Sequence, residues 1–243
     1  LVPMLEGPLV AHLSAVIEGR EGWNAAAIAA PRSLLPGNGT VDTLAVPSGC
    51  SFMAGSGGKL RRKTFDTGGS VTMSSALPGD SLLGGFSEVQ GALDAWEGVS
   101  GTSINLTYGG EVAYTLPCTG GQDMPDSTHS VVVFNDPCSD IANLSGCSGT
   151  LGFGGPWYKG THTFDGTTWM TITSWFEVVN NGAGCLGSTN FQIMLAHELG
   201  HGLGFDHVTD SSALMYSMCC NNINSTDRTC AQYVYPGSDP PPA

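Results

Sequence analysis

The residues best equipped for chemistry are His197, Glu198, His201 and His207, in the run His197-Glu198-Leu199-Gly200-His201-Gly202-Leu203-Gly204-Phe205-Asp206-His207. On a helix, His197 and His201 stand four apart, one turn above the other on the same face. Two imidazole nitrogens at that spacing can share one Zn²⁺ at about 2.0–2.1 Å. Glu198 points about 100° further round the helix, away from the ion but within reach of a water beside it. Gly204 can adopt the positive φ that ends a helix and turns the chain, which returns His207 as a third ligand. Asp206 is the competing third ligand, one position early; the spacing favours His207. Three protein nitrogens leave a fourth position for water, the mark of a catalytic rather than a structural zinc site. Such an ion lowers the pKa of its water toward about 7 and polarises a carbonyl. Glu198 would then serve that water as general base and the leaving group as general acid. The bland alternative, a helix with surface histidines, requires three of the chain's 6 His to fall into this register by accident.

These side chains need elements to hold them. The active-site helix is expected to begin at Thr189, with Thr189 and Gln192 as a capping box and Phe191, Ile193, Met194 and Leu195 as its apolar residues. Ser225-Thr226-Asp227 can cap a last short helix carrying Cys230, Tyr233 and Val234, which Pro236 stops. Phe86, Val89, Leu93 and Trp96 recur at helical spacing and predict an amphipathic helix that packs on a sheet. Strands are expected within Lys63 to Ser74, over Thr102 to Tyr108 and over Met170 to Val179. Val131 to Phe134, wholly apolar, reads as a central strand buried on both faces. Leu9 to Glu18 reads as a short helix, Ala25 to Ala30 as another, and Pro36 to Gly39 as a turn.

Composition narrows the partners. Eight basic against 21 acidic residues give a net charge of −13, which argues against nucleic acid or an anionic membrane. Some of the carboxylates are candidates for Ca²⁺. Eight cysteines without a C-x-x-C pair read as disulfides of an oxidising compartment. Cys138 with Cys147 would close a short loop, Cys50 is expected in a disulfide, and adjacent Cys219 and Cys220 are expected to take different partners, Cys230 lying near enough to be one. Asn38, Asn105, Asn143 and Asn224 begin N-x-[ST] triplets. No apolar run is long enough to span a membrane, and no signal peptide is seen at the start of the chain; together these suggest a processed, secreted protein.

The pattern H-E-x-x-H-x-x-G-x-x-H, followed by Ala213-Leu214-Met215-Tyr216, resembles the metzincin clan of zinc endopeptidases. Within it, H-E-L-G-H-x-L-G-x-x-H with A-L-M-Y looks most like the matrixins, and the low Lys/Arg content suggests a microbial relative. The resemblance covers roughly residues 60 to 236, tightly at the motif and loosely elsewhere. It implies an α+β fold: a twisted mixed sheet, an active-site helix, a Met-turn at Met215 and a C-terminal helix. Residues 61–236 would form the catalytic domain, 1–60 an extension or pro-region remnant, and 237–243 a Pro-rich tail. Thr150 to Gly155 resembles the edge strand that pairs with substrate backbone, so Leu151, Gly152 and Phe153 are candidate substrate-binding residues. Tyr216 is another, beside the pocket for the side chain after the cleaved bond. His197, His201 and His207 would hold one catalytic Zn²⁺, and Met215 would floor them. With only His12, His129 and His162 to spare, no second zinc is expected. His162-Thr163-Phe164-Asp165 faintly echoes a metal-binding segment of the family. The resemblance implies a secreted, monomeric endopeptidase acting on protein or peptide. Alternatives are another metzincin branch of pappalysin type, a non-hydrolytic zinc-binding adhesion module, and a latent form whose N-terminal segment blocks the cleft.

Overall fold

The computed structural model describes residues 46–55, 58–116, 118 and 129–237 in full, and the backbone of 11–15. The expected helix over Ala25 to Ala30, the turn at Pro36 to Gly39 and nearly all of the tail lie outside these residues. Strands β1 (Ala11–Ala15), β2 (Ala54–Gly55), β3 (Gly58–Arg61), β4 (Val71–Ala76), β5 (Leu106–Val112), β6 (Val131–Val133), β7 (Gly149–Phe164) and β8 (Thr167–Val179) join helices α1 (Phe86–Glu97), α2 (Gly187–Gly202) and α3 (Ser225–Val234). The eight-stranded sheet runs β1-β7-β8-β6-β4-β5, with β3 also on β8 and β2 on β3. Pairs β1–β7 and β7–β8 are antiparallel; β8–β6, β6–β4, β4–β5 and β8–β3 are parallel. This is the mixed sheet of the expected α+β fold.

Two apolar layers sandwich the sheet, and the strands show why. Along β8, Trp175 and Val179 join a core with both long helices, while Phe176 and Val178 join Val131, Val133 and Ile141 on the other face. The period of two sends alternate side chains to opposite faces. β6 is buried throughout, as its unbroken apolar run implies. In α1, Val89, Leu93 and Trp96 are all buried, and the Trp96 indole donates to the Ala196 carbonyl at 2.7 Å, tying α1 to α2. From Met194 to Gly202 every residue of α2 is buried. A helix enclosed on all sides holds its polar side chains where the protein, not water, must satisfy them.

Several expectations are corrected. Residues 11–15 form a strand, not part of a helix, because the edge of β7 offers them backbone partners that local periodicity does not reveal. Lys63–Thr67 is a 3₁₀ turn closed by Gly68 at φ 71°, and the strand begins only at Val71. The strand expected over Thr102 to Tyr108 runs from Leu106 to Val112. Helix α2 starts at Gly187, without the Thr189–Gln192 box, because a 3₁₀ turn at Ala183–Leu186 leads straight into it. The cap of α3 is Asn224, whose side chain accepts from the Thr226 and Asp227 amides. The disulfides are Cys50–Cys230, Cys118–Cys138, Cys147–Cys185 and Cys219–Cys220. Cys138 and Cys147 therefore take distant partners, brought near by the fold, and the adjacent pair bonds to itself across a cis peptide.

Candidate active site

The last turn of α2 and the turn after it build the site. Gly204, at φ 94°, closes the helix: its amide donates to His201 O at 2.9 Å and the Phe205 amide to Gly200 O at 3.0 Å. That pair of bonds is a Schellman motif with glycine at its left-handed position. The reversed chain is then pinned from outside. Met53 N donates to Gly204 O, Asp206 N donates to Ser51 O, and Phe205 stacks on Trp96. His207 is thereby carried back over the helix.

The ligating atoms of His197, His201 and His207 lie within 4.8 Å of one another. His197 Nε2 is 3.2 Å from both His201 Nε2 and His207 Nε2. A tetrahedral ion with bonds of about 2.0–2.1 Å separates its nitrogens by about 3.3–3.4 Å, so the spacing fits zinc. The opposite ring nitrogens decide the tautomers. His197 Nδ1 meets Leu214 O at 2.7 Å and His201 Nδ1 meets Phe205 O at 2.8 Å. A carbonyl only accepts, so each Nδ1 carries the proton and each Nε2 presents a lone pair. Two lone pairs facing one another across 3.2 Å repel; a cation between them resolves the arrangement. Burial pushes the His197 imidazole down to about 3, with the Leu214 carbonyl raising it and His207 lowering it. It stays neutral near pH 7, the form that ligates a metal.

Glu198, 1% exposed, lies toward β7, where a Cβ on Gly154 would come within 3.2 Å of its Oε2. Met215 sits beneath the histidines: a Cβ on Gly200 would fall 2.3 Å from its sulfur. The Met-turn is itself anchored, since buried Asp227 accepts from Leu214 N at 2.8 Å and Met215 N at 3.1 Å. Leu214 in turn orients His197, so Asp227 reaches the triad through one intermediate. Tyr216 pairs with Val208 in an isolated bridge after the turn. Leu151 and Phe153 bury their side chains in opposite faces of the sheet, leaving backbone along the outer side of that stretch.

Sequence reading missed Glu177. It is wholly buried in β8 without a hydrogen-bond partner for either oxygen. Its register partner is Gly154, so its side chain rises from the same sheet face toward Glu198. Burial, and then the charge of Glu198, push its carboxyl well above the usual range. A lone acid inside Trp175-Phe176-Glu177-Val178-Val179 was the available signal. Asp227 was legible as part of a helix start, but not as the anchor of the Met-turn.

His162 hydrogen-bonds Thr171 through Nδ1 at 2.8 Å and stands 3.5 Å from Asp66, inside the fold rather than at a metal site. Among the described residues no other group of three His, Cys, Asp or Glu is close enough to share an ion, so calcium gains no support. None of the described helices is long and apolar enough to cross a membrane.

No curated protein matches the chain. Residues 128–236 match the family model for matrixins, a stretch that contains β6 to β8, α2, the histidine triad, the Met-turn and α3. The chain therefore carries a matrixin-like metzincin catalytic domain and is a zinc metalloendopeptidase, with protein or peptide as its substrate.

Proposed function

We propose that peptide hydrolysis here is run by Glu198 beside a single ion held through Nε2 of His197, His201 and His207. The observation that carries this is the pair of Nδ1–carbonyl bonds that turns two Nε2 lone pairs toward one point. When bound, Zn²⁺ supplies Lewis acidity to a water and to the scissile carbonyl. The Glu198 carboxylate takes a proton from the attacking water and passes it to the leaving amine nitrogen as the C–N bond breaks. Met215 holds the histidines from below and excludes water there. The backbone of Leu151, Gly152 and Phe153 would pair with the peptide as an added strand, and Tyr216 would border the pocket for the side chain after the cut.

Residues 61–236 are proposed as the catalytic unit, with residues 50–55 as its strap: Cys50, Ser51 and Met53 bind α3 and the turn before His207. Four disulfides among eight cysteines favour an oxidising compartment, hence secretion. A monomer is the simplest state for such an enzyme.

The test is a quenched peptide library cut by the parent and by Glu198→Ala, with zinc content measured in both. Glu198→Ala should lose about 10²–10⁴-fold in kcat while keeping about one zinc per chain, because the glutamate serves the water. A Glu198→Ala protein that keeps full kcat, or that loses its zinc, would overturn this assignment.

A further inference from the structure

Glu177 is a buried acid that the chemistry above does not use, and three elements fix its place. Along β8, Trp175, Glu177 and Val179 take the face turned to the helices, where Trp175 and Val179 join the core shared with α1 and α2. Val132 of β6 and Gly154 of β7 are its register partners on either side. Helix α2 crosses this row in the opposite direction. A Cβ on Gly202 would stand 2.8 Å from the Trp175 ring, and a Cβ on Gly152, the partner of Val179, would stand 3.8 Å from the Met194 sulfur. Four residues of helix and two of strand advance by nearly the same length, about 6 Å and about 6.6 Å. Midway between Gly202 and Met194 comes Glu198; midway between Trp175 and Val179 comes Glu177. The two carboxyl groups therefore share one level of the structure.

Glycine keeps the space between them open. A Cβ on Gly154, beside Glu177, would come within 3.2 Å of Glu198 Oε2 and 3.5 Å of Glu198 Cβ, so Glu198 can lie against the sheet because β7 offers no side chain there. Val132, Trp175 and Val179 surround Glu177 with apolar groups. It is 0% exposed, and neither of its oxygens has a hydrogen-bond partner. Burial, and then the charge of Glu198, favour its protonated form. A protonated carboxyl donates where a carboxylate only accepts, and an O–H···O⁻ bond is about twice as strong as one between neutral groups.

We propose, on the endopeptidase reading above, that Glu177 is a positioning residue for the general base: as the neutral acid it donates to Glu198 Oε2 and holds that carboxylate so that its other oxygen meets the water. The donated proton stays on Glu177. The proton taken from the water goes to Glu198 and from there to the leaving amine. A side-chain movement closes the bond, as catalytic hydrogen bonds tighten in the substrate complex.

The test uses the full, zinc-loaded chain with two substitutions, Glu177→Leu and Glu177→Gln. Leucine fills the space and cannot donate; the glutamine amide can donate but cannot ionise. For each protein, kcat and KM on a peptide cut from the quenched library are measured beside zinc content, melting temperature and the infrared carbonyl stretch of protonated carboxyls at neutral pH. Glu177→Leu should lose about 10–100-fold in kcat, the usual cost of removing an orienting partner, with KM and zinc unchanged. Its melting temperature should be no lower than the parent's, because an apolar residue replaces a buried acid. Glu177→Gln should restore kcat to near the parent's value. The parent should show a protonated-carboxyl stretch that both variants lack. A Glu177→Leu protein with the parent's kcat would overturn the positioning role and leave the protease reading standing. So would a Glu177→Gln protein as slow as the leucine variant, since donation would then not be what matters. Identical infrared spectra in parent and variants would overturn the neutral acid, whatever the activity. Slow turnover that tracks lost zinc or a lower melting temperature would make Glu177 a packing residue only. No cleavage by the parent itself would instead overturn the protease reading, and the positioning role with it.

Discussion

At the scale of single residues, the site is a balance between groups that burial favours and groups it penalises. His197 is buried in its neutral, useful form and hydrogen-bonded through Nδ1. Glu177 is buried with no hydrogen-bond partner, facing another carboxylate, and its protonated form is favoured. The folded state then binds a proton that the unfolded chain releases above its ordinary 4.5. With the folded pKa raised, the stability tied to this group is complete below pH 4.5 and is lost as pH rises toward the folded value. Glu177→Gln keeps the shape and removes the ionisation. Its melting temperature, measured in chelator so that metal loss does not intrude, should match the parent's near pH 4.5 and exceed it by a margin that widens as pH rises toward the folded value. Each kcal/mol gained is worth about 2–4 °C at this size. A variant less stable than the parent at pH 8 would show that Glu177 has a stabilising partner as an anion. His197, Glu198 and His201 were legible as a pattern because helical spacing fixes their relative directions, and His207 because a glycine stands where the chain must turn back. Glu177 was not, because its meaning depends on a strand register and on a helix that begins ten residues later.

Among the elements, the end of α2 is where sequence and geometry agree most closely. Gly204 was expected to turn the chain, and it does so at φ 94° inside a Schellman motif. The structure adds a second reason for glycine, since a Cβ there would stand 2.8 Å from the Leu60 carbonyl oxygen. That oxygen belongs to β3, paired to β8, and cannot swing aside as a side-chain tip could. Gly204→Ala combines a left-handed strain of about 1–3 kcal/mol with this collision. It should lower the melting temperature by about 4–10 °C and weaken zinc binding, because His207 follows three residues later. Titration with a competing chelator would measure the second effect; unchanged zinc affinity would mean that His207 is positioned independently of the turn. Elsewhere the reading of elements was uneven for one recurring reason. Segments whose partners are local or generic, such as α1 with its stripe or β6 with its apolar run, declared themselves. Segments whose state is set by a distant backbone did not: β1 has a short helix-like pattern and becomes a strand only because β7 leaves an edge for it.

For the whole molecule, the covalent links show how the remote N-terminal side of the chain is drawn into the site. Cys50–Cys230 spans a sequence separation of 180 residues and joins the strap before β2 to α3. The two ends it gathers both serve the triad. The strap holds the turn before His207 through Ser51 and Met53, and α3 supplies Asp227 to the Met-turn under His197. No cysteine spacing could have disclosed this, since the bond records a long-range approach that only the folded sheet creates. Replacing both cysteines by serine frees the denatured chain from a very long loop, which should cost about 2–5 kcal/mol, or roughly 5–15 °C in melting temperature. Its consequence should also extend to chemistry. With the strap untied, zinc should leave faster on dilution into chelator, although neither cysteine touches a ligand. The same replacement at Cys118 and Cys138, a link of separation 20 that brackets β6, should destabilise less and leave zinc release near the parent's rate. Equal zinc release in the two double-serine proteins would mean that the strap only stabilises the fold. Faster release confined to the Cys50 and Cys230 pair would show the strap acting on the metal site from outside residues 128–236, the stretch that matches the family model.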